Sequence, residues 1–187
     1  MENEKLLKYT PRGLVDSRSR HRTMVPDEEY ENGHIMVSKD ATTLTDNGVK
    51  VNLGAHGQLQ GLGAHWELWL LHQGGMTNIQ ALRAATLNGA QYIGAGDEIG
   101  SLKVGKLADL IVLDKNPLDE IRNTESVTLT MVNGRLFDTD TMNEIGNTEA
   151  IRSKFWWENN KYNQAFPWHE ASKSFMTPGC GCQQGHQ

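Results

Sequence analysis

The apolar residues in the first half of the chain recur with the period of a helix. Over residues 27–47 they fall near one face, with Asp27 as the predicted N-cap and Asn47-Gly48 as the stop signal. Residues 64–73 are apolar around most of the helix circumference, which predicts a second helix that is largely buried. The first half of the chain is therefore expected to be mainly helical.

A third helix is predicted from Thr77 to about Gly94. Thr77 and Gln80 have the spacing of a capping box, in which each residue satisfies a backbone N–H group of the first turn. The helix carries a stripe at helical spacing that is expected to face the core. The members of this stripe are Ile79, Leu82, Thr86, Ala90 and Ile93.

Strand patterns occur before the second helix and again in the last third of the chain. The stretch VKVNLG, residues 49–54, alternates apolar and polar side chains and predicts a short strand. KLADLIVLD, residues 106–114, is almost continuously apolar, which is typical of a strand buried on both faces. VTLTMVNGRLFD, residues 127–138, predicts a hairpin with a type I′ turn at Asn133-Gly134.

Composition narrows the class of protein without choosing a function. The chain has 187 residues, of which 37% are hydrophobic and 22% charged, as in soluble globular domains. A net charge of −5 argues against nucleic-acid binding, which needs a basic surface. The sequence shows neither an apolar run long enough for a membrane span nor a signal-peptide pattern. The compartment stays open between the cytoplasm and, for a longer exported protein, the periplasm.

Both ends of the chain have unusual compositions. Residues 1–26 are expected to be irregular, and their arginines form either a solvated surface or a contact for phosphate or carboxylate. Residues 146–187 form an aromatic-rich arm and tail, expected to dock on the same domain or on a partner. Cys180, Cys182 and His186 could hold a metal at the very end, although their spacing fits no zinc template and a frayed terminus is the alternative.

The stretch from Gly75 to Leu118 carries two motifs that resemble a known family. ALRAATLNGAQYIG and IGSLKVGKLADLIVLDKNPL resemble the C-terminal region of metal-dependent amidohydrolases, in particular the imidazolonepropionase-like branch. The stretch VKVNLGAHGQLQGLGAHWEL also resembles a subgroup in which the amidohydrolase follows a propeller of the TolB type. The resemblance covers about residues 27–140.

The resemblance implies an α/β fold, namely the C-terminal fragment of a (β/α)₈ TIM barrel plus strands of a composite β-sandwich subdomain. Residues 27–100 would then supply the last barrel elements and residues 101–145 the sandwich strands. On this mapping the stretch VKVNLG is the eighth barrel strand. Catalytic residues of such barrels lie at the carboxyl ends of the strands, so the residues that follow this strand face the active site.

His56 stands at the position that the resemblance makes most informative. Most members of the family end the eighth strand with Gly-Thr-Asp, whereas this chain has Gly54-Ala55-His56. The family aspartate binds metal and handles the proton of the attacking water. A neutral imidazole can bind zinc and accept a proton near neutral pH, so His56 is the predicted catalytic residue and metal ligand. A benign pocket residue is the alternative.

His65 is the second candidate residue. His65, Glu67 and Leu68 match a His-x-Glu-Leu pattern that is common after the eighth strand in the family, which makes His65 a predicted substrate-binding or loop-bracing residue. The alternative is a capping or half-buried histidine at the start of a helix. His72 is predicted to be structural or exposed.

The other metal ligands that the resemblance implies are missing from this sequence. The family builds its site with a His-x-His pair on the first strand, and no His-x-His occurs here. The chain is therefore expected to be the last third of an amidohydrolase, completed by the same gene or by another polypeptide. Because two barrel elements cannot close a sheet, the isolated chain is expected to be marginally stable or prone to aggregate.

Two classes of function follow. The first is the C-terminal portion of a hydrolase for non-peptide, amide-like carbon–nitrogen bonds, with water activated by a divalent metal, zinc before others, and a small-molecule substrate. Dipeptides and esters are further substrate classes that the resemblance allows. The second is a non-catalytic module that packs against a partner. A homo-oligomer is compatible with both, and neither calls for nucleic acid or a membrane.

Overall fold

The structure, a computed structural model, describes residues 8–10, 33–55, 61–155 and 158. The chain divides into two units, one of residues 25–152 and one of residues 1–24 with 153–187. In the second unit the ammonium group of Lys8 lies 5.0 Å from the ring centre of Tyr9. There the backbone N–H of Phe155 also donates to the carboxylate of Glu158. Among the described residues, the larger unit holds four helices and an antiparallel sheet.

Four helices come first in the larger unit. They are α1 (Gly33–Asp46), α2 (Leu62–Gln73), α3 (Asn78–Ala84) and α4 (Leu87–Tyr92). Residues 27–32 of the first predicted helix lie outside the described residues. The capping box of α3 is confirmed, since the side chain of Thr77 accepts from the backbone of Gln80 and the Gln80 side chain accepts from the backbone of Thr77. Within the described residues, no helix has the length and hydropathy that a membrane crossing requires.

The predicted single helix from Thr77 to Gly94 is two helices. The chain leaves helical geometry at Thr86, whose φ and ψ are −135° and −93°. The hydroxyl group of Thr86 donates to the carbonyl group of Leu82, a local bond that competes with the helical ladder. The predicted core stripe is also wrong at both ends, since Ile79 and Ile93 are 55% and 68% exposed.

An antiparallel sheet follows the helices. Its strands are β1 (Leu110–Leu113), β2 (Val127–Val132), β3 (Arg135–Asp138) and β4 (Glu144–Ile145), in the order β1-β2-β3-β4, and a short 3₁₀ helix, Ile121–Glu125, precedes β2. The β2–β3 hairpin is confirmed. Asn133 and Gly134 have φ values of 50° and 77°, as a type I′ turn requires. The expected burial of β1 on both faces is wrong, because Ile111 and Val112 are 51% and 39% exposed.

The core lies among α2, α3 and the 3₁₀ helix. Its buried members are Leu68, Leu71, Met76, Ala81, Ala84 and Ile121. Ser38 of α1 lies so close to Gly74, at the end of α2, that a Cβ atom on Gly74 would come within 2.2 Å of the Ser38 carbonyl carbon. Glycine is therefore required at this contact between α1 and α2. The prediction that the second helix is largely buried is confirmed for Leu68 and Leu71, which are buried, and is wrong for Trp66, which is 38% exposed.

Candidate active site

The stretch VKVNLG, predicted as a short strand, forms no strand in the described part of the chain and packs on the helices instead. The backbone N–H of Leu53 donates to the carbonyl group of Ala84 over 3.0 Å. The side-chain amide of Asn88 donates to the carbonyl group of Val51, also over 3.0 Å. Val51 and Leu53 pack against the core. The α3–α4 region therefore fixes the segment that leads to the predicted catalytic histidine.

Glu67 of α2 holds the end of this segment. The backbone N–H of Gly54 lies 2.9 Å and 3.0 Å from the two carboxylate oxygens of Glu67. A hydrogen bond from an N–H group to an ionised carboxylate is stronger than one between neutral groups. The interaction of Gly54 with Glu67 joins two positions that are 13 residues apart in the sequence. It fixes the backbone at the end of the VKVNLG segment. His56, two residues after Gly54, lies outside the described residues.

His65 belongs to a hydrogen-bonded cluster that joins α2 to the 3₁₀ helix. The Nδ1 atom of His65 lies 3.1 Å from the hydroxyl oxygen of Thr124, and the indole N–H of Trp69 donates to the same oxygen over 3.0 Å. Thr124 is buried, with an exposed fraction of 3%. The guanidinium group of Arg122 lies 5.1 Å from the Trp69 ring centre and covers the cluster from the 3₁₀ helix.

Burial sets the electrostatics of this cluster. Desolvation lowers the pKa of His65 below its ordinary value of 6.5, while the carboxylate of Glu125 opposes part of that shift. The neutral imidazole is therefore the stable form in the folded chain near neutral pH. A neutral histidine can accept a hydrogen bond at one ring nitrogen and donate from the other.

The remaining predicted residues have separate positions. His72 is exposed, and its Nδ1 atom lies 2.9 Å from the carbonyl oxygen of Met76, as expected of a structural or exposed histidine. Cys180, Cys182 and His186 lie outside the described residues. Over the part of the chain that the structure describes, no three His, Cys, Asp or Glu side chains come together as metal ligands.

Sequence reasoning missed two residues of the site. Glu67 is part of the His-x-Glu-Leu pattern, but that pattern does not predict its bond to Gly54. Thr124 lies 59 positions from His65, and no local pattern links the two. The sequence does indicate that His65 and Trp69 lie on the same face of α2, because residues four apart on a helix are neighbours. It does not indicate that both contact Thr124.

Comparison with known proteins identifies the family. Residues 21–137 match the model of the amidohydrolase family. The chain belongs to this family, as the two motifs between Gly75 and Leu118 indicated. Its relatives are enzymes, and the family fold is of the TIM-barrel type.

Several curated relatives share parts of the chain. The imidazolonepropionase of Syntrophobacter fumaroxidans is 57% identical over 44 residues, which cover 23% of this chain and 10% of the relative. The 5'-deoxyadenosine deaminase of Methanobrevibacter smithii is 36% identical over 73 residues, 37% of this chain and 17% of the relative. The ochratoxinase of Aspergillus niger is 34% identical over 94 residues, 48% of this chain and 20% of the relative. The chain thus spans a fifth or less of these relatives.

A solved structure supports the family assignment. The crystal structure of a Xaa-Pro dipeptidase with bound methionine in the active site matches with a TM-score of 0.50 and 30% identity. The match covers 56% of this chain and 25% of the dipeptidase chain. The curated relatives also include a 5-methylthioadenosine/S-adenosylhomocysteine deaminase of Teredinibacter turnerae, which is 37% identical over 87 residues, 41% of this chain and 20% of the relative.

Proposed function

We propose that this chain forms the C-terminal portion of a metal-dependent hydrolase that cleaves non-peptide carbon–nitrogen bonds of a small molecule. The match of residues 21–137 to the amidohydrolase family carries the proposal. In this proposal the helices supply the last elements of a (β/α)₈ barrel, and β1 to β4 supply strands of the composite β-sandwich. The rest of the barrel comes from the same gene or from another polypeptide, and the placement in the TolB-type subgroup stays a prediction.

The residues of this chain have distinct parts in the proposed reaction. His56 is the proposed metal ligand and proton acceptor, and the other ligands come from residues that the structure does not describe. A bound divalent metal, zinc in our proposal, would lower the pKa of a water molecule. Glu67 and the α3–α4 region fix the segment before His56 through Gly54, Leu53 and Val51. His65 is the proposed substrate-binding residue.

The test compares His56→Ala with His72→Ala in the chain assembled with the segment that completes its barrel. Metal content and hydrolysis of cyclic amides, cyclic amidines and dipeptides are measured for both variants and for the unchanged protein. We expect His56→Ala to lower activity by at least about a hundredfold and to reduce bound metal, as loss of an acid–base group and ligand predicts. His72→Ala should retain both. Full metal content and activity in His56→Ala would refute the proposal.

A non-catalytic packing module is the second candidate function, and the exposed apolar side chains favour it. Leu102, Val104 and Ile111 are 83%, 102% and 51% exposed. A surface of this kind fits a partner or the remainder of a larger protein. The same assembled protein separates the two candidates, because a module would show neither metal nor hydrolysis in any variant. The compartment and a homo-oligomeric state stay predictions.

A further inference from the structure

The hydroxyl group of Thr124 has limited hydrogen-bonding capacity, and this limit decides the protonation pattern of His65. A hydroxyl oxygen can accept two hydrogen bonds and donate one. The indole N–H of Trp69 can only donate, so it uses one acceptor position of Thr124. Thr124 is 97% buried, and within the described residues its hydroxyl contacts no other hydrogen-bonding group than Trp69 and His65.

Only one direction of the bond between Thr124 and His65 satisfies every group. If Nδ1 of His65 carried a hydrogen, it would occupy the second acceptor position, and the hydroxyl hydrogen would have no acceptor. A buried polar hydrogen without a partner is strongly unfavourable. If the hydroxyl group donates to Nδ1 instead, all three groups are satisfied. The hydrogen of the neutral imidazole must then be on Nε2.

We propose that Thr124 holds His65 as the neutral Nε2–H tautomer and that this N–H donates a hydrogen bond to an oxygen atom of the substrate. The second half of the inference rests on the proposed function. Nε2 has no hydrogen-bond partner among the described residues, and His65 lies in the first turn of α2. In the sequence, His65 comes nine positions after His56, the residue that the proposed function makes the metal ligand and proton acceptor. Small-molecule sites use a few such fixed polar groups to orient the substrate.

Two further observations support a fixed donor. The centre of the His65 ring lies 6.2 Å from that of Trp69, with 37° between the ring planes, so the indole packs beside the imidazole. Desolvation lowers the pKa of His65, which keeps the ring neutral. A protonated ring would donate from Nδ1 and leave the Thr124 hydroxyl hydrogen without an acceptor. A carbonyl oxygen of an amide-like substrate is the acceptor class that a neutral donor suits best.

The tautomer is measured on the full 187-residue chain by nitrogen NMR of ¹⁵N-labelled histidine. At a pH above the ordinary histidine pKa, we expect His65 to show an unprotonated Nδ1 and a protonated Nε2. Thr124→Val removes the hydroxyl group at nearly constant shape and should yield a mixture of tautomers, whereas Thr124→Ser should retain the Nε2–H form. A predominant Nδ1–H form in the unchanged chain overturns the inference, as does an unaltered tautomer ratio in Thr124→Val.

The donor role is measured in the assembled enzyme with two amides of different length. In the His65→Gln variant, the side-chain amide nitrogen of the glutamine would reach about the position of the imidazole Nε2. In the His65→Asn variant, the shorter asparagine would place its amide nitrogen near the position of Nδ1. We expect His65→Asn to raise KM about tenfold with kcat little changed, and His65→Gln to restore much of the loss. Equal KM values in both variants and the unchanged enzyme overturn the donor role. An assembled protein without hydrolysis overturns the proposed function and the donor role together, while the NMR result decides the tautomer independently.

Discussion

The pKa of His65 makes the stability of the chain depend on pH in a defined direction. Because the pKa is lower in the folded chain than the ordinary 6.5, the unfolded chain binds more protons once the pH falls below that value. Above pH 6.5, His65 is neutral in both the folded and the unfolded chain, and the free energy of unfolding is not reduced by its titration. As the pH falls below 6.5 and through the lower pKa that His65 has in the folded chain, protonation of His65 favours the unfolded chain and the free energy of unfolding decreases.

This pH dependence is a prediction for urea unfolding measured at a series of pH values. The unchanged chain should lose free energy of unfolding as the pH falls below the ordinary pKa of His65, and His65→Gln should show a smaller loss. His72→Gln is the matched control, since His72 is an exposed histidine on the same helix. Equal pH slopes in His65→Gln and the unchanged chain would show that His65 does not titrate in this way.

Individual residues differ in how far the sequence could predict them. His65 was found because it lies in a local pattern, yet its hydrogen-bond partner Thr124 follows only from the folding of the 3₁₀ helix against α2. The interaction of Glu67 with Gly54 likewise depends on how the chain returns to the VKVNLG segment. Local sequence patterns thus identify candidate side chains, whereas tertiary contacts decide what each of them touches.

At the scale of elements, the turns and caps were predicted better than the buried faces. The capping box of α3 and the Asn133-Gly134 turn depend on neighbouring residues only, and both are confirmed. The core face of α3 was predicted from its large apolar residues, but the small side chains of Ala81 and Ala84 are the buried ones. Small residues let the helix approach the VKVNLG segment closely enough for Ala84 to accept the N–H of Leu53.

Two glycines provide a matched test of backbone conformation in these elements. Gly134 has a φ of 77°, which side chains rarely adopt, whereas Gly89 lies within α4 with open space around its missing Cβ. We expect Gly134→Ala to lower the free energy of unfolding by about 1–2 kcal/mol. Gly89→Ala should raise it by about 0.4–1 kcal/mol, because alanine favours the helix.

Urea unfolding at constant pH measures both variants. The hairpin turn and the helix lie in the same unit, so the two substitutions can be compared on one scale. A Gly134→Ala chain as stable as the unchanged one would mean that the turn tolerates another conformation. A destabilised Gly89→Ala chain would mean that a side chain at this position meets an obstacle.

At the scale of the molecule, apolar surface remains uncovered around β1. An open groove of about 590 Å³ runs between the α3–α4 region and β1, and Leu87, Leu102 and Ile111 are among its lining residues. Edges and faces of this kind promote association between chains. The exposed apolar side chains around β1 are a physical reason to expect marginal stability and aggregation of the isolated chain, which remain predictions.

Self-association is tested by sedimentation velocity over a range of protein concentrations. We expect the unchanged chain to associate as its concentration rises, and Leu102→Lys with Ile111→Lys to shift the onset to at least about tenfold higher concentration, because the added charges oppose burial. Thr43→Lys, at an exposed site on α1, is the charge control and should behave like the unchanged chain. A chain that stays monomeric at all concentrations, with a steep cooperative unfolding transition, would contradict the expectation.

The bond between Glu67 and Gly54 also has an evolutionary consequence. It ties Gly54 to α2, so the residues between Gly54 and Leu62, where α2 begins, connect two points that are fixed on the scaffold. The entropic cost of closing such a segment rises slowly with its length, by about 0.6 kcal/mol for each doubling. Insertions and deletions after His56 are therefore inexpensive for the fold. New specificities can arise there through changes in length, while the helices beneath keep their packing.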